Sequence, residues 1–196
     1  MSRKKNIDDA TVLEKALLVI SDRGPDSFTL NDIGKAVGLA PATLLQRFGS
    51  KQSLLILAAK HAGSQLNQSL KKHKKKQLAW DKELIAILGE LPDGFGTRQD
   101  IANSLGLLKL DMIDPQLHPI AREHFCKFRE KVKTILQQAR SKGHLPATED
   151  IEILSWQLDA LRHGLVIQWT LNGDGDLQNW LQKGLRNYLQ GKKNAL

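Results

Sequence analysis

Two neighbouring polar side chains, Gln46 and Arg47, are of the types that recognise nucleic acid bases. In the major groove glutamine can form paired hydrogen bonds with adenine, and arginine can form them with guanine. Both residues follow Pro41, whose fixed φ suits the first position of a helix. Thr43 and Lys51 are spaced so that they can bind phosphate oxygens. These residues can recognise a DNA sequence only if a helix holds them in a groove, so the surrounding elements decide their role.

The residues before Pro41 predict a first short helix and a sharp turn. Thr29 can cap this helix, because Asp32 lies three positions further on and can accept a bond from the Thr29 backbone N–H. Gly38 can end the helix in the left-handed conformation that glycine adopts without penalty. The apolar residues of the helix recur at helical spacing and must be buried, namely Leu30, Ile33 and Val37. Two helices joined in this way predict a helix-turn-helix, with an ordinary helical hairpin as the alternative.

The predicted second helix has one face for the core and one for DNA. Leu44 and Phe48 point inward by their spacing. Arg47 lies almost two turns into the helix, where the wall of the groove approaches, so it could bind a phosphate instead of a base. Both roles of Arg47 stay open. The positions left free for bases are Pro41, Ala42, Gln46 and Arg47.

Residues 9–55 resemble the DNA-binding domain of the tetracycline-repressor (TetR) family of transcriptional regulators. The resemblance depends on many positions taken together. They include an alanine in the first helix, glycines at both turns and the start of the fourth helix. The matching residues are Ala16, Arg23, Gly24, Thr29, Asp32, Ile33, Ala36, Gly38, Leu39, Thr43, Leu44, Phe48, Gly49, Ser50 and Lys51.

The resemblance implies that Thr43 and Lys51 hold phosphates, that the first turns of the second helix read bases, and that Asn31 can add a base contact. Two positions depart from the family pattern. Ala40 stands where the family often has a capping serine, and Leu45 where it often has a tyrosine that touches DNA. An apolar contact of Leu45 with a thymine methyl or a sugar is therefore expected. The expected DNA contacts are Thr29, Asn31, Pro41, Ala42, Thr43, Leu45, Gln46, Arg47 and Lys51.

The net positive charge comes from the N-terminal part of the chain. Residues 1–76 hold 14 Lys and Arg against six Asp and Glu, whereas residues 77–196 are neutral, so the first part carries the whole net charge of +8. Arg3, Lys4 and Lys5 form an arm that could lie along the sugar-phosphate backbone or in the minor groove. The lysines within 71–76 are expected to be a solvated helix end, because a helix rising 1.5 Å per residue carries them roughly 30 Å from its start.

The pattern of the whole chain predicts an all-α protein, since it contains no alternating stretch long enough to propose a strand. We expect a DNA-binding domain at residues 1–50 and a helical regulatory and dimerisation domain at residues 51–196. The fourth helix continues across this boundary and should join the two rigidly. Helix starts are expected at Asp114 with Pro115 and at Thr148. The predicted long helices are 9–22, 50–72, 80–90, 98–113, 115–142, 150–171 and 176–189.

The predicted helix at 150–171 is apolar on two opposite sides. A leucine stripe lies on one side, and Trp156, Ala160, His163 and Ile167 lie on the other. One side should meet the core of the chain and the other a partner chain, with a thick monomeric core as the alternative. The resemblance implies that the last two helices form a four-helix interface in a homodimer. The residues assigned to the interface are Leu154, Leu158, Leu161, Leu165, Leu177, Trp180, Leu181 and Leu185.

Catalytic and metal chemistry have little support. His124 and Cys126 face apart on a helix, and no His pair is spaced for one helix face. The loop at 172–176 suggests a calcium site, but Lys183 stands where the final Glu ligand would be. We therefore expect no enzyme, no metal and no cofactor. One cysteine and a longest apolar run of six residues, Leu54 to Ala59, favour a cytoplasmic protein that neither enters nor spans a membrane.

These features predict a protein that binds double-stranded DNA, and the resemblance implies a repressor that acts at a near-palindromic operator. The resemblance adds release by a small, largely apolar inducer bound in the second domain. One alternative is a DNA-binding protein without such a ligand, whose second domain docks another protein. The other is a helical enzyme that uses His124 or Cys126. Residues that could line a ligand cavity are Met112, His118, Phe125, Trp156, His163 and Trp169.

Overall fold

The computed structural model of the chain describes residues 7–73, 78–91 and 96–193. Within these ranges the regular elements are all α-helices, which confirms the all-α prediction. In chain order they are α1 (Asp9–Arg23), α2 (Leu30–Val37), α3 (Pro41–Phe48), α4 (Lys51–His73), α5 (Trp80–Leu88), α6 (Arg98–Ile113), α7 (His118–Ser141), α8 (Ile151–Asn172) and α9 (Leu177–Lys193).

An aspartate side chain caps the helix at both predicted starts, and only the start at Thr148 is wrong. The regular part of α7 begins at His118 rather than at Pro115, and a turn capped by Asp114 leads into it: Asp114 Oδ1 accepts the backbone N–H groups of Gln116 and Leu117 at 2.8 and 3.0 Å, and the His118 N–H donates to the Asp114 main-chain oxygen at 2.9 Å. α8 is capped by Asp150 rather than Thr148: the Asp150 carboxylate accepts the Ile153 backbone N–H at 3.1 Å.

The chain divides into two compact units. Unit 1 contains the described residues up to Leu66 together with Ala102–His124, and unit 2 contains those of Asn67–Ile101 and from Phe125 onward. α4, α6 and α7 therefore each contribute residues to both units. The unit that holds the helix-turn-helix extends well past residue 50, and the domain boundary expected there stays a prediction.

The core of unit 1 lies where α1, α2, α3 and the first part of α4 meet. Fully burying one aliphatic or aromatic side chain stabilises a fold by roughly 1.5–3 kcal/mol, so a cluster of this size can hold short helices that would not form alone. Leu117, which follows α6, is buried in the same cluster. The other buried members are Val12, Ala16, Ile20, Phe28, Ile33, Leu44, Phe48, Leu54, Leu55 and Ala58.

Two contacts of α6 fix the end of α1. Asn103 Nδ2 donates to the main-chain oxygen of Asp22 at 2.7 Å. Gly106 lies against Pro25, where an added Cβ would sit 3.3 Å from the ring.

Unit 2 is built around α8, which packs on α9 and α5. The approach of α8 to α9 is close at Gly184, because a Cβ there would lie 2.6 Å from the Leu165 side chain. Buried residues of α5, α7, α8 and α9 form the interior, including Leu84, Leu88, Val132, Leu136, Leu154, Leu158, Leu181 and Leu185.

Candidate functional site

The start of α2 is fixed by the predicted capping box. Thr29 Oγ1 accepts the Asp32 backbone N–H at 3.2 Å, and Asp32 Oδ2 accepts the Thr29 backbone N–H at 2.9 Å. The bonds from the Thr29 hydroxyl and backbone also lower the pKa of Asp32. Because Thr29 uses its polar groups within the cap, a DNA contact by its hydroxyl would compete with these bonds. That contact stays a prediction.

The turn between α2 and α3 depends on two glycines. Gly38 has φ 71° and ends α2 in the left-handed conformation, as the sequence predicts. Gly34, inside α2, is buried, and a Cβ there would lie 2.5 Å from the main-chain oxygen of Leu39. The Leu39 N–H donates to the Gly34 oxygen at 3.0 Å. The second glycine, four residues before the first, was the available signal for this close turn, and sequence reasoning missed it.

α3 presents the predicted face to solvent. Pro41 is its first residue, and no side chain caps the helix at Ala40. Leu44 and Phe48 are buried in the core of unit 1, which confirms that they point inward. The exposed residues of the helix are Pro41, Ala42, Leu45 and Gln46, and those partly buried are Thr43 and Arg47.

Gln46 is free to form hydrogen bonds. Within the part of the chain that the structure describes, its side chain has no hydrogen-bond partner, and it is exposed on α3. Asn31 is exposed near the start of α2. Leu45 is 44% exposed, which is unusual for a leucine and leaves an apolar surface beside Gln46. Amide and methyl contacts with base edges are therefore sterically available.

Arg47 bonds to another helix. Its Nε donates to Asp9 Oδ1 at 2.9 Å, and its Nη2 donates to the same oxygen. Its guanidinium carbon lies 5.4 Å from the centroid of the Phe48 ring. Thus in the chain without DNA, Arg47 links the end of α3 to the start of α1. The two roles considered for Arg47 from sequence did not include this one, because Asp9 is 38 residues away.

Lys51 begins α4 and lies beside Phe28, the residue before the Thr29 cap of α2. Its Nζ is 4.2 Å from the centroid of the Phe28 ring, while the residue itself is exposed. Such a contact can be worth about 0.5–1 kcal/mol at an exposed site and limits the positions of the ammonium group. Ser50 Oγ accepts the Ser53 backbone N–H at 2.9 Å and caps the first turn of α4.

Arg3, Lys4 and Lys5 lie outside the described residues, as do Lys74, Lys75 and Lys76. The role of the basic arm and the interpretation of the second lysine cluster stay predictions.

Two family profiles match the chain. The profile of bacterial regulatory proteins of the tetR family matches residues 12–58, and that of the BetI-type transcriptional repressor, C-terminal, matches residues 81–190. Together they cover the helix-turn-helix and most of the remaining chain. The chain belongs to the TetR family. A search of curated protein sequences finds no match.

Solved structures of transcriptional regulators share this fold. A putative transcriptional regulator from Saccharomonospora viridis in complex with choline is 19% identical, with a TM-score of 0.80 over 91% of this chain and 93% of the other. A TetR-family regulator from Agrobacterium tumefaciens is 19% identical, with a TM-score of 0.74 over 93% and 96%. The regulator FadR from Bacillus subtilis, in complex with stearoyl-CoA, is 17% identical, with a TM-score of 0.70 over 93% and 97%. At these identities the likeness shows the fold alone.

The assignment of leucines to a subunit interface must be corrected for this TetR-family protein. Four of them are fully buried within one chain, namely Leu154, Leu158, Leu181 and Leu185, and Leu177 is almost fully buried. They cannot offer a surface to a second chain, because α9 and α5 already cover α8 on this side. Leu161, Leu165 and Trp180 are partly buried, and a role for them at an interface stays a prediction.

The opposite side of α8 is the exposed one. Trp156 and Ile153 are each 54% exposed, and Leu171 is 69% exposed. At the centre of the stripe are two small residues, Ala160 and Gly164, and a Cβ added at Gly164 would meet nothing within 4 Å. We call the residues Ile153, Trp156, Ala160, Gly164, Ile167 and Leu171 the α8 stripe.

The structure does not gather the six predicted ligand-lining residues together. Met112 is 63% exposed and belongs to unit 1, as does His118. Trp156 is on the α8 stripe, with the Arg129 guanidinium carbon 3.7 Å from its ring centroid. Trp169 is buried in a core cluster and donates from Nε1 to the Gly175 oxygen at 3.2 Å. Two open grooves in unit 2, of about 450 and 470 Å³, are lined by none of the six.

Phe125 and His163 do come together, beside a buried carboxylate. Their ring centroids are 5.6 Å apart. His163 Nδ1 lies 2.8 Å from the Asp159 main-chain oxygen and 3.4 Å from Asp159 Oδ1. Asp159 is only 7% exposed, and Oδ1 has no hydrogen-bond partner within the described residues. A buried carboxylate oxygen without a hydrogen-bond donor is costly, so Asp159 Oδ1 is a candidate acceptor for a ligand.

Cys126 and His124, the two residues considered for catalysis, each pack against another part of the protein. Cys126 is partly buried, with its Sγ 3.6 Å from Arg129 Nη2. His124 packs on α4, where a Cβ added to Gly63 would lie 1.6 Å from its Nε2. Within the described residues, no cluster of three His, Cys, Asp or Glu could hold a metal ion, and none of the helices is long and apolar enough to cross a membrane.

Proposed function

We propose that this TetR-family regulator is a repressor that binds a near-palindromic operator as a homodimer. A small molecule bound in unit 2 would release it from the DNA. The observation that carries the DNA-binding half is α3, whose buried Leu44 and Phe48 anchor it while Pro41, Ala42 and Gln46 face outward. A recognition helix must be held firmly and still expose its N-terminal residues to the major groove.

The contacts that would hold DNA follow from this arrangement. Gln46 would bond to a base, most favourably adenine, while Leu45 and Ala42 would contact thymine methyl groups or sugars. Thr43, the free N–H groups at the start of α3, and Lys51 would bind phosphates. Asn31 and Thr29 at the start of α2 would approach the same duplex. The basic arm would add contacts with the backbone.

The homodimer is supported by the α8 stripe. Six residues of one helix face are exposed and are apolar or glycine, a surface of the kind that usually marks an interaction site. Ala160 and Gly164 allow a second helix to come close, and Trp156 and Ile167 can pack on either side. A stripe that pairs with its own copy generates a two-fold axis, which matches a near-palindromic operator.

The ligand half is supported by the surroundings of Asp159. Burial lowers the pKa of Arg162, and the negative charges of Asp159 and Glu90 oppose that change. The charge of Arg162 is thus opposed by two carboxylates, and His163 with Phe125 supplies aromatic faces beside Asp159. We propose a small, largely apolar ligand that carries a positively charged group, which would meet Asp159 and the rings. The similar regulator in complex with choline holds a ligand of this chemistry, whereas stearoyl-CoA in the other is anionic.

A second candidate function is a TetR-family DNA-binding protein that docks another protein and takes no small ligand. The exposed Trp156, held under Arg129, is the kind of aromatic anchor that such docking uses. The two candidates differ in what releases the DNA.

The decisive experiment selects binding sites for the purified full chain from random duplex DNA. We expect an enriched inverted repeat, bound by two chains. Candidate small cations, with choline as the first probe and stearoyl-CoA as the anionic comparison, are then added to the complex. Release by a cation, lost in Asp159→Asn but kept in the surface variant Asp174→Asn, would support the ligand assignment. Selection that enriches no sequence would refute the DNA-binding function itself.

A further inference from the structure

We infer that Asp9 is a positioning residue that keeps Arg47 away from DNA and so limits sequence-independent binding. The inference rests on the proposed DNA-binding function and goes one step further, to a residue outside the helix-turn-helix. Asp9 opens α1 and belongs to neither α2 nor α3.

The geometry of the pair is specific. Arg47 occupies the last turn of α3, and both its Nε and its Nη2 donate to Asp9 Oδ1. The side chain of Arg47 is 25% exposed, whereas that of Asp9 is 66% exposed. The guanidinium also lies near the Phe48 ring, at 5.4 Å. Contacts with Asp9 and Phe48 thus hold the Arg47 side chain against the protein. From the same position on α3, an arginine without these contacts could reach a phosphate.

The start of α1 is well suited to hold a cation there. Asp8 caps the helix by accepting the Thr11 backbone N–H at 2.7 Å. The bonds from Thr11 lower the pKa of Asp8, and the nearby charge of Arg47 contributes in the same direction. Asp9 lies in the first turn, where the helix dipole stabilises a carboxylate. The carboxylates of Asp8 and Asp9 are therefore held at the start of a helix rather than on a loop.

A DNA phosphate and Asp9 would compete for the same guanidinium. Exposed ion pairs contribute up to about 1 kcal/mol, which corresponds to an affinity change of up to about fivefold per subunit. Sequence-independent binding depends almost wholly on phosphate contacts, so withholding one cation per subunit weakens it directly. Base contacts by Gln46 do not depend on Arg47.

The test is a cycle of four proteins: wild type, Asp9→Ala, Arg47→Ala and the double variant. Each is titrated against a duplex of arbitrary sequence at several salt concentrations, with fluorescence anisotropy as the readout. We expect Asp9→Ala to bind up to about fivefold more tightly per subunit. The slope of log affinity against log salt should steepen by about one per subunit, because Arg47 gains a phosphate. In the Arg47→Ala background, Asp9→Ala should change neither quantity.

Two further variants separate this role from a bulk effect of charge. Asp9→Glu keeps a carboxylate that can reach Arg47 and should restore the wild-type salt slope. Asp26→Ala removes an exposed negative charge from unit 1 and should leave the slope unchanged. Chemical unfolding of each variant reports whether the Asp9–Arg47 pair also stabilises the fold. The slope of log affinity against log salt is measured on folded protein, so a change in stability does not alter it.

The inference is overturned if Asp9→Ala strengthens binding equally with and without Arg47, since Asp9 would then act only by repelling DNA. It is also overturned if Asp9→Ala leaves both affinity and slope unchanged. Failure of the proposed function gives a different result, because the wild-type chain would then bind no duplex in a salt-dependent manner.

Discussion

Arg162 of α8 donates from Nε to the main-chain oxygen of Leu88, 2.9 Å away, and so closes the end of α5. Leu88 is the last residue of α5, and carbonyl groups there have no partner within the helix. A cation at this end is also favoured by the helix dipole. The guanidinium lies 5.6 Å from the Phe128 ring and compensates part of the charge of Asp159.

The first prediction concerns this contact. Arg162→Met keeps most of the length of the side chain but leaves the Leu88 carbonyl and the Asp159 carboxylate without their cation. Leaving buried acceptors unpaired costs about 1–3 kcal/mol of unfolding free energy. Urea unfolding of both proteins measures it, with Arg186→Met on the exposed side of α9 as the matched control. Equal midpoints for wild type and Arg162→Met would show that unit 2 does not depend on this bond.

The second prediction distinguishes the two sides of α8. Ala160→Glu and Ile167→Glu place charges on the α8 stripe, so they should separate the subunits while each chain stays helical. Leu158→Glu buries an unpaired charge in the core and should unfold unit 2 instead. Sedimentation velocity and circular dichroism measure both effects, and Leu18→Glu, at an exposed leucine of α1, is the control. Dimers that persist in both stripe variants would rule out this interface.

The third prediction concerns base recognition. Gln46→Ala should relax the preference at one base pair of each half-site, because paired bonds between glutamine and adenine are worth roughly 1–3 kcal/mol of discrimination. Selection of binding sites for this variant gives the consensus directly. Gln137→Ala, at an exposed glutamine of α7, is the matched control. If Gln46→Ala kept full affinity and an unaltered consensus, Gln46 would not read a base, and Asn31 and the apolar residues of α3 would have to do so.

The fourth prediction is that Lys51 binds a phosphate in every DNA sequence. Lys51→Ala should weaken binding to operator and arbitrary duplexes by about the same factor and reduce the salt slope by about one per subunit. Anisotropy titrations at several salt concentrations measure this, and Lys60→Ala, also exposed on α4, is the control. A loss confined to the operator would instead indicate a contact with a base.

The fifth prediction concerns Asp111 in α6. Burial raises the pKa of Asp111 to about 6, and the charge of His118 acts in the opposite direction. An unfolded aspartate has a pKa of about 3.9, so between about pH 4 and pH 6 the folded chain binds a proton that the unfolded chain lacks. The contribution of Asp111 to stability therefore falls as the pH rises through this window.

Asp111→Asn should accordingly gain stability over wild type at pH 8, and the gain should shrink towards pH 4. Chemical unfolding at both pH values tests the sign, with the exposed Asp174→Asn as the control. A difference that does not depend on pH would show that Asp111 is not held in its neutral form by the fold.

Sequence alone determined the features of this protein that arise from neighbours a few residues apart. The capping box of Thr29 and Asp32, the left-handed Gly38 and the inward Leu44 were all predicted correctly. Each depends on φ, on a bond within one helical turn, or on a spacing of three or four residues. For the same reason the bounds of most helices could be placed closely, while the misplaced start of α8 reflects a choice between two nearby polar residues, Thr148 and Asp150.

Tertiary structure decided whatever depends on contacts between distant parts of the chain. The periodicity of α8 made both of its sides apolar, and only the packing of α9 and α5 on Leu154 and Leu158 left Trp156 outside. Arg47 had two plausible roles on its own helix, and its bond to Asp9 exists because the fold brings the start of α1 to the end of α3. Periodicity shows which residues share a face of a helix, whereas the partner of that face is set by the free energy of packing the whole core.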